Sequence, residues 1–527
     1  MTDAPASADR PDSAPRVIRS GLLATLLAAV SGALYFLGFA GFEIWPLSLI
    51  SLVPLLLALR GRTGMRAFSL GWLMGFVTNA GGFYWIASML RTFSGFKLIV
   101  CIAFSALLWA GQGLQFAFFG WFVARADQWK VPRLLSVPAA LGALELCFPL
   151  LFPSYTANSL HNVPLLIQTA DLGGVILLGM MMALGSAAIE DTIVGWRTRV
   201  GLRARLLPMM LPLGWWAFAI PYGAYRIHQV DVENLTAPAL RVAVIQENLG
   251  LIEKRDEPEM ALDRHLDTTH AIEAREHLDF AVWSESAVSF LLRTDIANVQ
   301  SDLPPWDLHV PVLFGALSER NGRFFNTAFM TGRDGAMAGT YDKTYLLAFG
   351  EYLPGGDIFP KFYQWSPHSG HFTRGSRMVA LPLPGDSPAT PRTVMPLICY
   401  EDILPRYVRD FENATHATLF AVILNDAWFG DTAEPWIHFA LSKFRSVEHR
   451  RDFVRAANSG VSGFVDAAGR VIAHGGSFRT EAPVATVHLR TRHTVYDVLG
   501  DWAAWLAMAL TAWMIRPRWK ILGAARD

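Results

Sequence analysis

Three residues in this chain of 527 amino acids stand where a reacting group could be displayed: Glu285 in AVWSES, Lys343 in YDKTYLLAFGEYLP and Cys399 in TVMPLICYED. A free thiol titrates at about 8.5, so a cysteine nucleophile needs a base and gains from a neighbouring cation. Glu285 could take the thiol proton, and Lys343 could stabilise the thiolate and an oxyanion developing on a carbonyl substrate. Taken singly, each is ordinary. A lone Cys after an apolar strand is usually a packed core residue, and loop Glu and Lys are usually solvated.

The elements around them must bring them together. From about 240 to 489 short β-rich runs alternate with amphipathic charged segments. Strands are predicted at 240–246, 280–284, 311–317, 326–331, 394–399 and 418–424, with a hairpin at 463–473. Helices are predicted at 260–277, 402–411 and 436–453, so the segment reads as a layered α/β domain. Glu285, Lys343 and Cys399 then fall at strand ends or on the loops that follow, and Cys399, entering a helical segment, can face backbone N–H groups.

The rest of the chain is apolar. Hydrophobic residues make up 52% and charged residues 17%, and 45 Lys+Arg balance 45 Asp+Glu, which argues against a nucleic-acid partner. Apolar runs near the ~20-residue length of a bilayer span recur at 21–39, 44–59, 67–90, 98–124, 134–152, 165–189, 206–225 and 498–515. These predict a polytopic membrane domain of about eight spans, seven of them within 21–225, with 1–20 and 516–527 as tails. Basic residues collect on one side: Arg10, Arg16 and Arg19, then Arg60, Arg62 and Arg66, Arg125, Lys130 and Arg133, Arg197 to Arg205, and Arg516 onward. By the positive-inside rule both termini are cytoplasmic and the 240–489 domain is extracytoplasmic. Glu145 and Asp171, within or beside spans, require buried partners or a function. The aromatic segment 357–372 has the composition of a lid at a lipid surface. Cys101 and Cys147 lie in apolar runs, so no disulfide is implied, and no nucleotide or metal motif is found.

WxES, YxKxxLxxFGEYLP and ICYE, in this order, resemble the Glu-Lys-Cys triad of the nitrilase superfamily, and the joined pattern resembles its membrane branch, the bacterial apolipoprotein N-acyltransferases. Gln246 with Asn248, Gly315, Asn326, NDAWFG at 425–430, Trp436 with His438, and RAANSGVSG at 455–463 extend the likeness. The resemblance implies an α-β-β-α sandwich inserted before the last span, with Glu285 as general base, Lys343 as oxyanion-side cation and Cys399 as nucleophile. It makes Glu351 a second active-site carboxylate, and Tyr400 and Glu401 required neighbours of the nucleophile. It also implies an inner-membrane enzyme without cofactor or metal, with a phospholipid acyl donor and a diacylglyceryl-modified apolipoprotein as acceptor. A membrane-tethered amidase, or a non-catalytic lipoprotein-binding homologue, would retain much of the same pattern.

Overall fold

In the strand Ala239–Ile245, Val242 and Val244 point one way while Ala243 and Ile245 point the other, and all four are buried. Period-two side chains apolar on both faces need cover on both sides. A computed structural model describes residues 18–303, 306–365, 370–385 and 392–516 and shows what that cover is. Ala239–Ile245 belongs to a seven-stranded sheet in the order Val484–His488, Ala239–Ile245, Phe280–Trp283, Val312–Arg320, Arg323–Thr331, Met337–Asp342, with Val288–Leu292 paired beside Val312–Arg320. A second, six-stranded sheet runs Val471–His474, Gly463–Val465, Phe453–Ala457, Leu419–Leu424, Thr393–Ile398, Leu381–Pro382.

Val242, Phe280 and Leu313 of the first sheet share a core with Val394, Val422 and Val454 of the second. On the outer face of the first sheet, Leu262 and Leu266 of helix Pro258–Glu273 cover Ala281 and Trp283. On the other side, Val408 of Pro405–Thr415 and Phe439 of Glu434–His449 join the core with the second sheet. The result is an α-β-β-α sandwich. The strands Phe280–Trp283 and Thr393–Ile398 end where Glu285 and Cys399 begin, as expected. The helix predicted to reach 453 stops at His449, with Arg450 left-handed (φ 51°), and Phe453 opens a strand instead.

The apolar part is less regular than its hydropathy. Leu98–Gln128 and Ala170–Arg197 are long and apolar enough to cross a membrane, while Gly21–Leu37, Trp45–Leu59 and Trp502–Ile515 are shorter apolar helices. Within the expected span 44–59, a 3₁₀ turn, Trp45–Leu49, precedes a seven-residue helix, Val53–Leu59. Pro46 and Pro54 sit in the first turns of these pieces, where proline is tolerated because the missing N–H has no partner to lose. The expected span 67–90 is two helices, Met65–Gly82 and Ile86–Ser94, broken at Phe83–Trp85. Helix Met210–Asn234 runs on past residue 225, and the last helix begins at Trp502 rather than at 498. Most of the two expected tails, residues 1–17 and 517–527, lies outside the described residues.

The sandwich is seated on the apolar part through Glu434–His449. Phe439 of this helix faces the sheet, whereas Phe444 and Val447 pack with Leu160, Ile167 and Val175. Ion pairs cross the same seam. Asp171 meets Arg450 at 2.7 Å and Arg226 at 2.8 Å, and Tyr222 donates to it at 2.8 Å. Glu145 accepts from the backbone and hydroxyl of Thr156, at 2.8 and 2.6 Å. Both carboxylates of the apolar part therefore have buried partners. Replacing Asp171 by Asn should leave two buried guanidinium groups without their shared counter-charge and destabilise the protein by about 3–5 kcal/mol. Thermal unfolding of purified protein in detergent would read this as a clear loss of stability; a wild-type melting curve would show that the pairs are not anchoring the seam.

Candidate active site

Glu285 lies two residues past Trp283, the last residue of its strand, and directly after the buried Ser284. The following residue, Ser286, has φ 54°. Behind this bend runs Gly315, whose N–H donates to the Ser284 carbonyl at 3.3 Å; a Cβ there would come within 2.9 Å of Glu285 Cα. Only glycine lets the neighbouring strand approach so closely.

The Glu285 carboxylate is 8% exposed and accepts from Asn326 Nδ2 at 2.7 Å. Asn326 reaches Glu351 Oε1 with the same amide, at 3.3 Å, and Lys343 Nζ donates to that oxygen at 2.8 Å. The other Glu351 oxygen accepts from the Leu347 N–H at 2.8 Å, which folds the Lys343–Glu351 loop back on itself. Burial works against the Lys343 charge, but Glu351 first, then Cys399 and Glu285, hold the ammonium well above its ordinary value. Burial also raises the Glu285 carboxyl, with Lys343 opposing and Glu351 assisting. It thus prefers its proton more than an exposed carboxylate does.

Cys399 follows the last residue of Thr393–Ile398 and opens the 3₁₀ turn Cys399–Ile403 at φ 51°, a conformation that costs a non-glycine residue of order 1 kcal/mol or more. Burial pushes its thiol well up and Glu285 adds to this, while Lys343 pulls it down. Glu401 holds the bend in place. One of its oxygens accepts from Ile398 N–H at 2.9 Å; the other accepts from Thr344 and Tyr345 N–H at 2.8 and 2.9 Å and from the hydroxyls of Tyr341 and Tyr407. A single buried carboxylate thereby fixes the nucleophile's strand to the loop just after Lys343. Tyr400 stacks on Tyr345 and donates its hydroxyl to the Leu151 carbonyl at 2.7 Å, a direct tie to the apolar part.

Below the bend lies a charged cluster that the sequence signalled only through fragments of the family pattern. Asp402 accepts from Ser442 at 2.6 Å and pairs with Arg455, while His438 bridges Asp402 and Asp426 at 3.0 and 3.1 Å. Burial opposes charge on His438, yet the two aspartates push it up to about 10. Among the described residues, Asp426, Glu434 and His438 are close enough together to hold a cation, as are Glu412, His416 and His493. In the first group the histidine nitrogens and Asp426 are already engaged with one another and Arg455. In the second, Glu412 is paired with Arg451 at 2.5 Å.

Glu285, Lys343, Glu351, Cys399 and Glu401 thus lie on one hydrogen-bond and electrostatic network, with Asn326 as a link not assigned beforehand, while Tyr400 is held beside it by its stack on Tyr345. Cys399, Tyr400, Leu347 and Phe429 line a small, mostly apolar cavity to which Phe83, Trp85 and Phe152 of the apolar part also contribute, with Glu434 and His438. Phe83 and Trp85 lie in the break between Met65–Gly82 and Ile86–Ser94. Of the expected lid 357–372, residues 366–369 and the side chains of Phe362 and Trp365 lie outside the described residues; Ile358 and Phe359 are exposed.

The α-β-β-α sandwich that carries these residues is a carbon-nitrogen hydrolase domain. Residues 307–495 match the family described as carbon-nitrogen hydrolase, a stretch that includes Lys343, Glu351, Cys399, Tyr400 and Glu401 and begins after Glu285. Residues 31–188 match the apolipoprotein N-acyltransferase N-terminal domain. The chain is 30% identical over 499 residues to an apolipoprotein N-acyltransferase of Geobacter metallireducens, covering 92% of this chain and 93% of that one. It is 29% identical over 531 residues to that of Azotobacter vinelandii, covering 95% and 96%. Among solved structures, a nitrilase-superfamily protein of Saccharomyces cerevisiae matches 50% of this chain and 93% of its own at 13% identity and a TM-score of 0.35. The chain belongs to the apolipoprotein N-acyltransferase family.

Proposed function

We propose that this protein moves an acyl chain from a membrane phospholipid, through a thioester on Cys399, to the α-amino group of the diacylglyceryl-cysteine of an apolipoprotein. The observation that carries the reading is that Cys399 and Tyr400 meet Phe83, Trp85 and Phe152 of the apolar part across a small, mostly apolar cavity: a site for soluble amides has no need to abut such a surface, whereas one that takes its acyl group from a lipid does.

In the first step the Cys399 sulfur attacks the ester carbonyl of the phospholipid while Glu285 accepts the thiol proton. Lys343, neutralised on its other side by Glu351, faces the oxyanion. The C–O bond breaks, Glu285 returns the proton to the departing oxygen, and lysophospholipid leaves. In the second step the lipoprotein amine attacks the thioester, a C–N bond replaces the C–S bond, and the amine proton passes by way of Glu285 to the released sulfur. Amide formation from a thioester runs downhill, so the sequence of steps needs no nucleotide. Splitting the transfer lets one nucleophile serve two bulky lipid substrates in turn.

The same reading has about eight spans in the cytoplasmic membrane, both termini cytoplasmic and the sandwich outside, where lipoproteins carry their free amine. The asymmetry of basic residues supports it. Mass spectrometry of lipoprotein amino termini from cells with and without this protein is the direct test. N-acylated termini should vanish with the protein and return with its wild-type copy but not with Cys399→Ala; unchanged termini would refute the assignment.

A further inference from the structure

A second lysine is buried beside Glu285 and, among the described residues, has no ion-pair partner. Lys254, in the short helix Leu251–Asp256, is 6% exposed, and its Nζ donates to the carbonyl of Ser286 at 3.0 Å. Ser286 is the left-handed residue that turns the chain immediately after Glu285. Among the described residues Lys254 forms no ion pair, whereas buried ammonium groups ordinarily sit against a carboxylate because an unpaired buried charge is costly. The sequence gives no hint of this: EKRDE reads as a solvated helix face.

The surroundings of Glu285 make such a cation useful. Lys343 is committed to Glu351 at 2.8 Å, so its pull on Glu285 is partly offset by that carboxylate. The groups that bear on Glu285 include Lys343, Glu351, Asn326, Lys254 and the Cys399 thiol, and among the described residues Lys254 is the cation of this set with no carboxylate of its own. On its other side Lys254 faces His265 of helix Pro258–Glu273. That ring donates to the Ala261 carbonyl at 2.6 Å and is kept neutral by burial.

We infer that Lys254 is a positioning residue for the general base: by gripping the Ser286 carbonyl it fixes the bend that aims Glu285, and as a cation without a carboxylate of its own it adds to Lys343 in favouring the ionised form of Glu285. This rests on the reading of Glu285 as base. Burial lowers Lys254 itself to about 7, despite the pull of Glu285, so its help to the base is present at and below neutral pH and fades above it. Sign and consequence are then fixed. A nearby positive charge lowers the proton affinity of Glu285; removing it raises that affinity and moves the acid limb of the rate profile to higher pH.

The test is thioester formation by the full-length enzyme in detergent micelles with palmitoyl-labelled phosphatidylethanolamine, followed from pH 5 to 9 for wild type, Lys254→Met, Lys254→Arg and Glu285→Gln. Lys254→Met should shift the acid limb upward by about one pH unit, a roughly tenfold loss on the limb, and converge towards the wild-type rate at pH 9. Lys254→Arg, permanently charged, should restore the wild-type limb. A Lys254→Met profile lowered equally at every pH, or one with an unmoved limb, would overturn the inference and leave Lys254 a packing residue. If instead Glu285→Gln retains the wild-type rate and limb, the base assignment fails first, and that outcome is read independently of either lysine variant.

Discussion

Cys399→Ala is expected to reduce acyl labelling of the protein by phospholipid to background and to abolish transfer to apolipoprotein, with the folded structure intact. The substitution removes only a sulfur atom. Alanine can occupy the left-handed backbone that Cys399 holds, and Glu401 still ties Ile398 to Thr344 and Tyr345 without help from the thiol. Neither remaining cysteine can substitute. Cys101 is buried in helix Leu98–Gln128 and Cys147 ends Arg133–Cys147, both in the apolar part. Without acceptor, the wild type should accumulate an acyl label that hydroxylamine removes, and release about one lysophospholipid per enzyme before turnover stops. Rapid release of free fatty acid in its place would mark a hydrolase, and transfer that survives Cys399→Ala would end the covalent mechanism.

The sandwich was legible because its strands are short, apolar on both faces and separated by amphipathic helices; Phe280–Trp283 and Leu419–Leu424 fall within the predicted runs. Strands that owe their place to a neighbour were not. Leu381–Pro382 is a two-residue edge pairing, and Val288–Leu292 follows the Ser286 bend, whose geometry depends on contacts distant in sequence. In the apolar part hydropathy reports length and composition, and is blind to a break such as Phe83–Trp85 that keeps every residue apolar. Pro46 and Pro54 did carry a local signal for the broken segment 44–59. At the site, Glu285, Lys343 and Cys399 stood out by residue type and context, and Glu351, Tyr400 and Glu401 through the family pattern. Lys254 was invisible, since nothing in its neighbours says that a charged helix end will be folded inward.

Glu285→Gln is expected to slow thioester formation by more than the 10²–10⁴-fold typical of a lost general base, and to erase the acid limb of the pH profile. Glutamine keeps the shape and the acceptor for Asn326 Nδ2, so the strand bend should survive. In the wild type, burial raises the carboxyl, and the base acts only when ionised. Activity should therefore rise with pH through a midpoint above the ordinary glutamate value of about 4.3, and this rise belongs to the group that Gln replaces. The Cys399 thiol offers a second, opposite readout. After burial, the Glu285 charge is the next influence holding that thiol up, and Lys343 opposes it. Removing the charge should leave the thiol at least as acidic, so a small alkylating reagent that consumes pre-formed thiolate should react with Glu285→Gln no more slowly than with wild type. Acylation and alkylation then part company: a variant slow in the first and not in the second has lost proton transfer in the transition state and kept its nucleophile. Equal slowing of both would mean that Glu285 serves only to hold Cys399 in place.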